Sequence, residues 1–521
     1  MYRSGLALSI DCGTQSIRAI VFDRKGAIIA SNSVKFIEPY DSPQKGWAEQ
    51  NPLYWWSCLC MCTKKLFSSM PDNVMKQIET LTLSTMRDTY VCLDEDMNVL
   101  RPSIVWLDQR TSGSPKPVPV LYDLIFRLVG MHDVARQQRQ VTKTSWIWEN
   151  QRDIYEKMRH FISLECWFHY MLTGELIDSV GNQCGHIPFD YHKLNYRRDG
   201  SLMWQATPVE TSLLPPLVAC GALIGHVNEK ASAATGLPRG LTVTAGATDK
   251  GCETLGCGVL NGDSVAISLG TTATVQLTLD HYVEPQKFMP AYPAALPGHW
   301  NPEIQIYRGY WMVKWFSQNF GLEERLESER TGLPVEPMLD KLLDLTPPGA
   351  DGMILQPYWC PGLKKLESKG TIMGLSDYHT RAHLYRAILE GINFGLLEGL
   401  ETMQKQSKTE AKGICISGGG SKSSVVCQMA CDVFGLPAYR CHTCETSALG
   451  AAIIGMVASG EFRSWEEAVH SMVHYADVFQ PNKDNHRMYR EMYDQTYERL
   501  YPRMKPLYRR IHRSNRSRCH E

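Results

Sequence analysis

Short apolar runs that end in glycine-containing turns dominate the hydrophobic pattern of the chain. Residues 6–10 (LALSI) run into Asp11-Cys12-Gly13-Thr14, which predicts a buried strand and a tight turn. Residues 17–23 and 27–31 read as further strands, with Lys25-Gly26 at the turn between them. Strand patterns recur at 80–84, 90–94, 241–247, 264–270 and 413–417. Residues 50–70 read as a helix opening near Pro52, 145–173 as aromatic-rich helices, 379–404 as a helix with an apolar face, and 445–459 as a small-residue helix. Residues 112–119 read as a loop.

Two of these segments share a spacing. Gly13-Thr14 and Gly270-Thr271 each follow an apolar strand, and Asp23 and Asp280 each stand nine residues beyond the threonine. This is a weak internal repeat and suggests two copies of one domain type, although strand–Gly-Thr–strand is also a common hairpin. The length of 521 residues accommodates roughly two to four domains.

Composition narrows the class without naming the chemistry. Hydrophobic residues make up 43% and charged residues 21%, an ordinary globular profile. A formal net charge of −1 gives no electrostatic case for nucleic acid or an acidic membrane. No apolar run reaches the ~18 residues of a spanning helix, and the opening lacks a signal-peptide layout. Seventeen scattered cysteines then suggest free thiols in a reducing cytoplasm. Cys58, Cys60 and Cys62 fall around a helix, and Cys441-x-x-Cys444 lacks a second pair, so both groups read as structural thiols. The seven Lys or Arg against one acid after Pro502 read as a solvated end.

Three glycine turns carry the candidate chemistry: residues 11–16 (DCGTQS), 268–272 (SLGTT) and 417–423 (SGGGSKS). Glycine lets backbone N–H groups approach phosphate oxygens, and neighbouring hydroxyls add donors. Asp11 and Asp249 each stand at the end of an apolar strand. Phosphoryl transfer needs carboxylates to hold a divalent cation and a group to accept the acceptor hydroxyl's proton. Taken alone, an Asp in such a turn is a cap or turn former. A dinucleotide-binding Rossmann unit is disfavoured, because no GxGxxG follows the first strand.

Over residues 5–470 the combination resembles the FGGY carbohydrate kinases. The segments that carry the likeness are DCGTQSIRAIVFD, GWAEQNPLYWW, RPSIVWLDQRT, AGATDKGCETLGCG, SLGTTATV, SGGGSKSSVVCQMACDVFG and ETSALGAAIIG. GTIMGLSDYHTRAHLYRAILEG adds Gly370, Ile372, Gly374, Leu375, His383, Ala387 and Glu390 at the family's offsets. The resemblance implies an α/β fold of two ribonuclease-H-like domains of the actin/hexokinase/heat-shock ATPase type, with ATP in the cleft between them. It places the sugar site and catalytic Asp in residues 1–255, the nucleotide site in 256–480, and a helical segment with a basic tail in 481–521. It makes Asp249 the general base and a magnesium ligand with Asp11. It sets Thr14, Gln15 and Arg18 around the transferred phosphoryl, with Gly270 and Thr271 opposite. It assigns Gly419, Gly420, Ser421 and Ser423 to the adenosine part of ATP, and Arg87, Asp88 and Trp47 to the sugar, with Glu49 in the same segment as Trp47. Cys12, Cys252 and Cys257 fall within or near the implied site as small buried filler. The implied partner is a small sugar or polyol, and a homodimer is compatible with it.

Some positions depart from the glycerol kinases. Asp88 replaces the Glu of their Arg-Glu pair, Lys250-Gly251 replaces glutamines after the catalytic Asp, and Gln138 stands where they carry Tyr. Plain glycerol is therefore an uneasy fit. Arg87 and Asp88 could clamp a hydroxyl or order their loop as an ion pair. Lys250 leaves a sugar acid open as substrate, and a nucleotide-binding regulator without catalysis is the reading from another functional class.

Overall fold

A computed structural model describes residues 5–360, 365 and 367–518, with side chains described up to residue 511. Two six-stranded sheets organise it. The first holds β1 (Leu6–Cys12), β2 (Ser16–Phe22), β3 (Ile28–Lys35), β4 (Ile78–Thr85), β5 (Leu223–His226) and β6 (Thr242–Thr248) in the order β5-β6-β4-β1-β2-β3. The second holds β7 (Ser264–Leu269), β8 (Ala273–Gln276), β9 (Glu303–Ile306), β10 (Gly413–Ser417), β11 (Ala438–Cys441) and β12 (Tyr475–Phe479) in the order β9-β8-β7-β10-β11-β12. Each sheet has an antiparallel meander on one side and parallel pairings in the middle. In the first, β1 pairs antiparallel with β2 and parallel with β4, and β6 runs parallel to β4. In the second, β7 pairs antiparallel with β8 and parallel with β10, and β11 runs parallel to β10. The Gly-Thr spacing thus marks two copies of one sheet, differing in whether the far edge strand precedes or follows its neighbour in the chain.

Burial explains the strand patterns. All residues of β1 are buried, as expected of a central strand covered on both faces, whereas β3 alternates between exposed and half-buried positions at an edge. Helix α1 (Pro52–Ser69) starts on Asn51, whose side chain accepts from Leu53 N, with Pro52 in its first turn. It buries Trp55, Cys58, Leu59, Cys62, Leu66 and Phe67. Cys58 and Cys62 therefore face the core one turn apart, while Cys60 points elsewhere.

The aromatic-rich stretch 145–173 is not continuously helical. Helices Lys143–Asn150 and Arg152–Lys157 give way to a strand, His160–Ser163, before helix Leu164–Thr173. That strand pairs antiparallel with Tyr90–Leu93 and buries Phe161, Ile162 and Ser163. A tertiary partner far away in sequence overrides local helix propensity here. The helix expected at 379–404 forms as α3 (Arg381–Ser407). The basic end is solvated, with Arg503, Arg509 and Arg510 exposed, yet it is helical and anchored. Beyond α6 (Lys483–Met492), α7 (Glu498–Arg518) remains helical, buries Tyr508 against Thr371, and pairs Arg509 with Glu367. The last three residues lie outside the described ones.

A third core joins the halves. Helix α2 (Asp249–Gly256) and the small-residue helix α5 (Thr446–Ala458) pack together beneath β1, burying Ala7, Ile20, Cys252, Leu255, Ala448, Leu449 and Ile453. Their backbones nearly touch. A Cβ on Gly450 would lie 1.9 Å from the Cys252 carbonyl oxygen, and one on Gly256 would lie 2.0 Å from that of Thr446. Gly450→Ala must push α2 and α5 apart, at an expected cost of about 1–3 kcal/mol. A lower thermal midpoint is the expected result; an unchanged midpoint would show that the crossing has slack.

Candidate active site

Strand register brings the distant acidic residues together. Asp11 on β1 lies opposite Ser84 on β4, and Ser84 lies opposite Ala247 on β6, so three parallel strands end at one level. Ligand sites of open α/β sheets form at such strand ends. A cavity of about 500 Å3 opens there. Its wall contains Asp249 and Lys250 from the start of α2, Arg87 and Asp88 from the turn after β4, and Gly270 and Thr271 from the turn after β7. Trp106, Gln138, Arg197, Glu284, Tyr292 and Tyr307 also line it.

Asp249 is the first residue of α2. Thr248 caps the helix by accepting from Gly251 N at 3.2 Å, and Asp249 Oδ1 accepts from Lys250 N at 2.8 Å. Burial pushes its carboxyl up; Arg87 and Lys250 oppose the rise and Glu253 adds to it. Burial likewise pushes Asp11 up to about 7, with Arg18 opposing and Asp249, Glu445 and Glu253 adding. Arg18 donates to Glu445 at 2.9 Å and reaches Asp11 at 3.5 Å. Lys250 donates to Glu253 at 2.5 Å and to Ser268 at 3.0 Å, while Ser417 donates to Glu253 at 2.6 Å. The Lys250–Glu253 pair therefore ties the start of α2 to the strands that precede two of the glycine turns.

Arg87 and Asp88 take separate partners rather than each other. Arg87 reaches across to Glu303 on β9 at 2.5 Å and lies over the Tyr292 ring. Asp88 has a left-handed backbone, φ 51°, and meets Lys143 at 3.2 Å and His186 at 3.1 Å. Burial works to raise its carboxyl, but Lys143 and His186 outweigh it and hold the group well below the ordinary carboxylate range.

The remaining expected site residues, Asp11, Thr14, Gln15, Arg18 and the Gly419–Ser423 turn among them, are not part of the wall of this cavity. Trp47 does not line it: Arg110 stacks 3.9 Å from its ring, and Trp146 meets it edge-on. Glu49 pairs with Arg101 and Arg110. Trp106 does reach the wall, and its indole N–H donates to Thr14 Oγ1 at 2.9 Å. It belongs to the W-x-D-x-R stretch, whose Asp108 accepts from Ala48 N and Arg110. Gln15 is exposed. Gly418 to Ser423 form a separate turn after β10. There Ser421 donates to the Gly418 carbonyl at 2.7 Å, Ser423 caps α4 (Ser424–Phe434), and a Cβ on Gly419 would meet open space. Cys12 and Cys252 are buried. Cys257 instead meets Cys415 and Cys441 at the far end of α2. Arg197 carried no sequence signal; it sits in a polar loop, residues 196–200.

A sequence model of the N-terminal domain of the FGGY family of carbohydrate kinases matches residues 6–256, and its C-terminal counterpart matches residues 265–459. The chain is 26% identical over 493 residues to an uncharacterised sugar kinase of Escherichia coli, YgcE, covering 92% of this chain and 90% of that one. It is 26% identical over 491 residues to a xylulose kinase of Lactococcus lactis, covering 93% and 94%. The crystal structure of a gluconate kinase from Lactobacillus acidophilus superposes with a TM-score of 0.82 at 19% identity, covering 98% of this chain and 100% of that one, a likeness of fold. No described helix is long and apolar enough to cross a membrane.

Proposed function

The chain belongs to the FGGY family of carbohydrate kinases, and from that premise we propose that it transfers the γ-phosphoryl of ATP to a hydroxyl of a small sugar, polyol or sugar acid, with Asp249 as general base. One observation carries this reading: the half-buried Asp249 carboxylate shares a cavity with the Gly270-Thr271 turn of the opposite sheet. The acceptor oxygen bonds to the γ-phosphorus, the bond from that phosphorus to the bridging oxygen breaks, and the hydroxyl proton passes to Asp249. ADP leaves. Raising a carboxyl towards the working pH makes it a more effective proton acceptor. Gly270 and Thr271, with Thr14, Gln15 and Arg18, surround the moving phosphoryl, and Gly419, Gly420, Ser421 and Ser423 hold the adenosine part of ATP. Fixed donors aimed at developing charge lower the barrier without reorganisation.

The donor set suits magnesium. Asp11 and Asp249 are hard oxygen donors, and each is pushed up by burial, as expected of carboxylates awaiting a cation. When bound there, the ion supplies neutralisation of phosphate charge. Purified protein with MgATP and a panel of ketoses, polyols and sugar acids tests the reading. Acceptor-dependent ADP release is the expected result; ATP-driven closure without turnover on any acceptor would favour the non-catalytic regulator.

One feature favours acceptors bearing a carboxylate. Of the Arg and Lys residues in the cavity wall, Arg87 and Lys250 are paired with acids, whereas among the described residues Arg197 donates only its Nε–H, to the Phe189 carbonyl. Its terminal nitrogens are left for an anion, which guanidinium grips in a bidentate fork. Arg197→Ala is therefore expected to raise KM for sugar acids by about tenfold or more, the scale of one charged hydrogen bond, while leaving neutral polyols within twofold. Equal losses on both classes would assign Arg197 to the wall alone.

A further inference from the structure

Beyond the catalytic cavity, three thiols converge from three elements. Cys257 caps the C-terminal end of α2, Cys415 lies within β10, and Cys441 ends β11. Their sulfur atoms all lie within 4.8 Å of one another, and Cys415 and Cys441 are 3.2 Å apart. Each is buried, at 0%, 3% and 6% exposure, with Val259 and Ala266 as apolar walls.

A disulfide does not suit this place. Cys415 lies opposite Tyr439, so Cys441 stands two residues out of register on the neighbouring parallel strand. Strand spacing and rise then separate the two Cα atoms by about 8 Å, beyond the ~7 Å that a disulfide spans. A cation about 2.3 Å from each sulfur would hold the sulfurs about 3.8 Å apart, between the 3.2 Å of the Cys415–Cys441 pair and the 4.8 Å within which all three lie. A fourth donor is at hand, because the Gly256 carbonyl oxygen lies 3.9 Å from Cys441 Sγ. That carbonyl belongs to the C-terminal end of α2, where the helix dipole also favours positive charge.

We propose that Cys257, Cys415 and Cys441, with the Gly256 carbonyl, form a binding site for a thiophilic divalent cation of tetrahedral preference, zinc being the one this donor set suits. Binding releases the thiol protons and clamps the end of α2 to β10 and β11, behind the residues that carry the catalytic turns. The clamp is structural: none of its ligands lines the cavity.

The full-length protein, reduced and stripped with a chelator, should take up about one equivalent of Zn2+ that survives gel filtration. It should also show a raised thermal midpoint. Cys415→Ser and Cys441→Ser should lose that equivalent and the midpoint shift, whereas Cys444→Ser, at an exposed thiol, should keep both. Should the buried variants fail to fold, Co2+ added to the parent protein decides. Sulfur-to-cobalt charge-transfer bands with tetrahedral visible absorption support the site, and octahedral absorption overturns it. Zinc uptake unchanged in Cys415→Ser, or retention of copper(I) but not zinc, likewise overturns it.

Discussion

Asp249→Asn is expected to lower kcat by about 10²–10⁴-fold, the usual contribution of a positioned general base, while ATP binding stays within a few-fold of the parent. Asn keeps the volume of the side chain and can still accept from Lys250 N through its carbonyl oxygen, so the first turn of α2 has no reason to move. It cannot take a proton. Nucleotide affinity should survive because the turn assigned to the adenosine part of ATP follows β10, in the other sheet. Asp11→Asn should behave differently. Its main effect is expected to be a higher magnesium requirement, with kcat partly recovered at saturating Mg2+, because Asp11 is assigned to holding the ion and not to receiving the proton. Steady-state kinetics across magnesium concentrations and titration calorimetry with ATP separate the two. An Asp249→Asn enzyme within tenfold of the parent would remove Asp249 from the base role.

The parts of this arrangement that could be read from the chain are the local ones. An apolar run ending in Asp11-Cys-Gly-Thr states its own strand and turn, and the same holds at Gly270 and Gly418, because the pattern and the turn chemistry lie within a few residues. The pairings that shape the cavity span long stretches of sequence. Arg18 meets Glu445, Ser417 meets Glu253, and Arg87 meets Glu303, contacts that exist only once both sheets have formed. Aromatic residues show the same limit. Trp47 and Trp106 both stood in family-like segments, yet only the packing of Arg110 onto Trp47 turns that ring away and leaves Trp106 in the wall. The strand at 160–163 was hidden for a related reason: its partner, Tyr90–Leu93, lies some seventy residues earlier.

Arg87→Met is the substitution for which the largest loss of stability is expected. The side chains of Arg87 and Glu303 are 16% and 2% exposed, and their bond joins the turn after β4 to the opposite sheet. Removing one partner of a buried ion pair typically costs about 3–5 kcal/mol, because the other charge stays in a low-dielectric place. Among the described residues, Glu303 would then keep Gln276, which donates to its second oxygen at 2.9 Å. Arg87 also lowers the pKa of Asp249. Without it the Asp249 carboxyl rises further, so its ionised form is reached only at higher pH, and the acid limb of kcat/KM should move upward. A double variant, Arg87→Met with Glu303→Leu, separates these roles. With both charges gone, stability should return to within about 1–2 kcal/mol of the parent, but the pH profile should stay shifted, since that effect needs only the loss of Arg87. Unfolding midpoints for all four corners of this cycle, with pH profiles alongside, measure the coupling. If the two single losses simply add, the pair contributes nothing in solution; if the double variant regains the parent's pH profile, Arg87 does not act on Asp249.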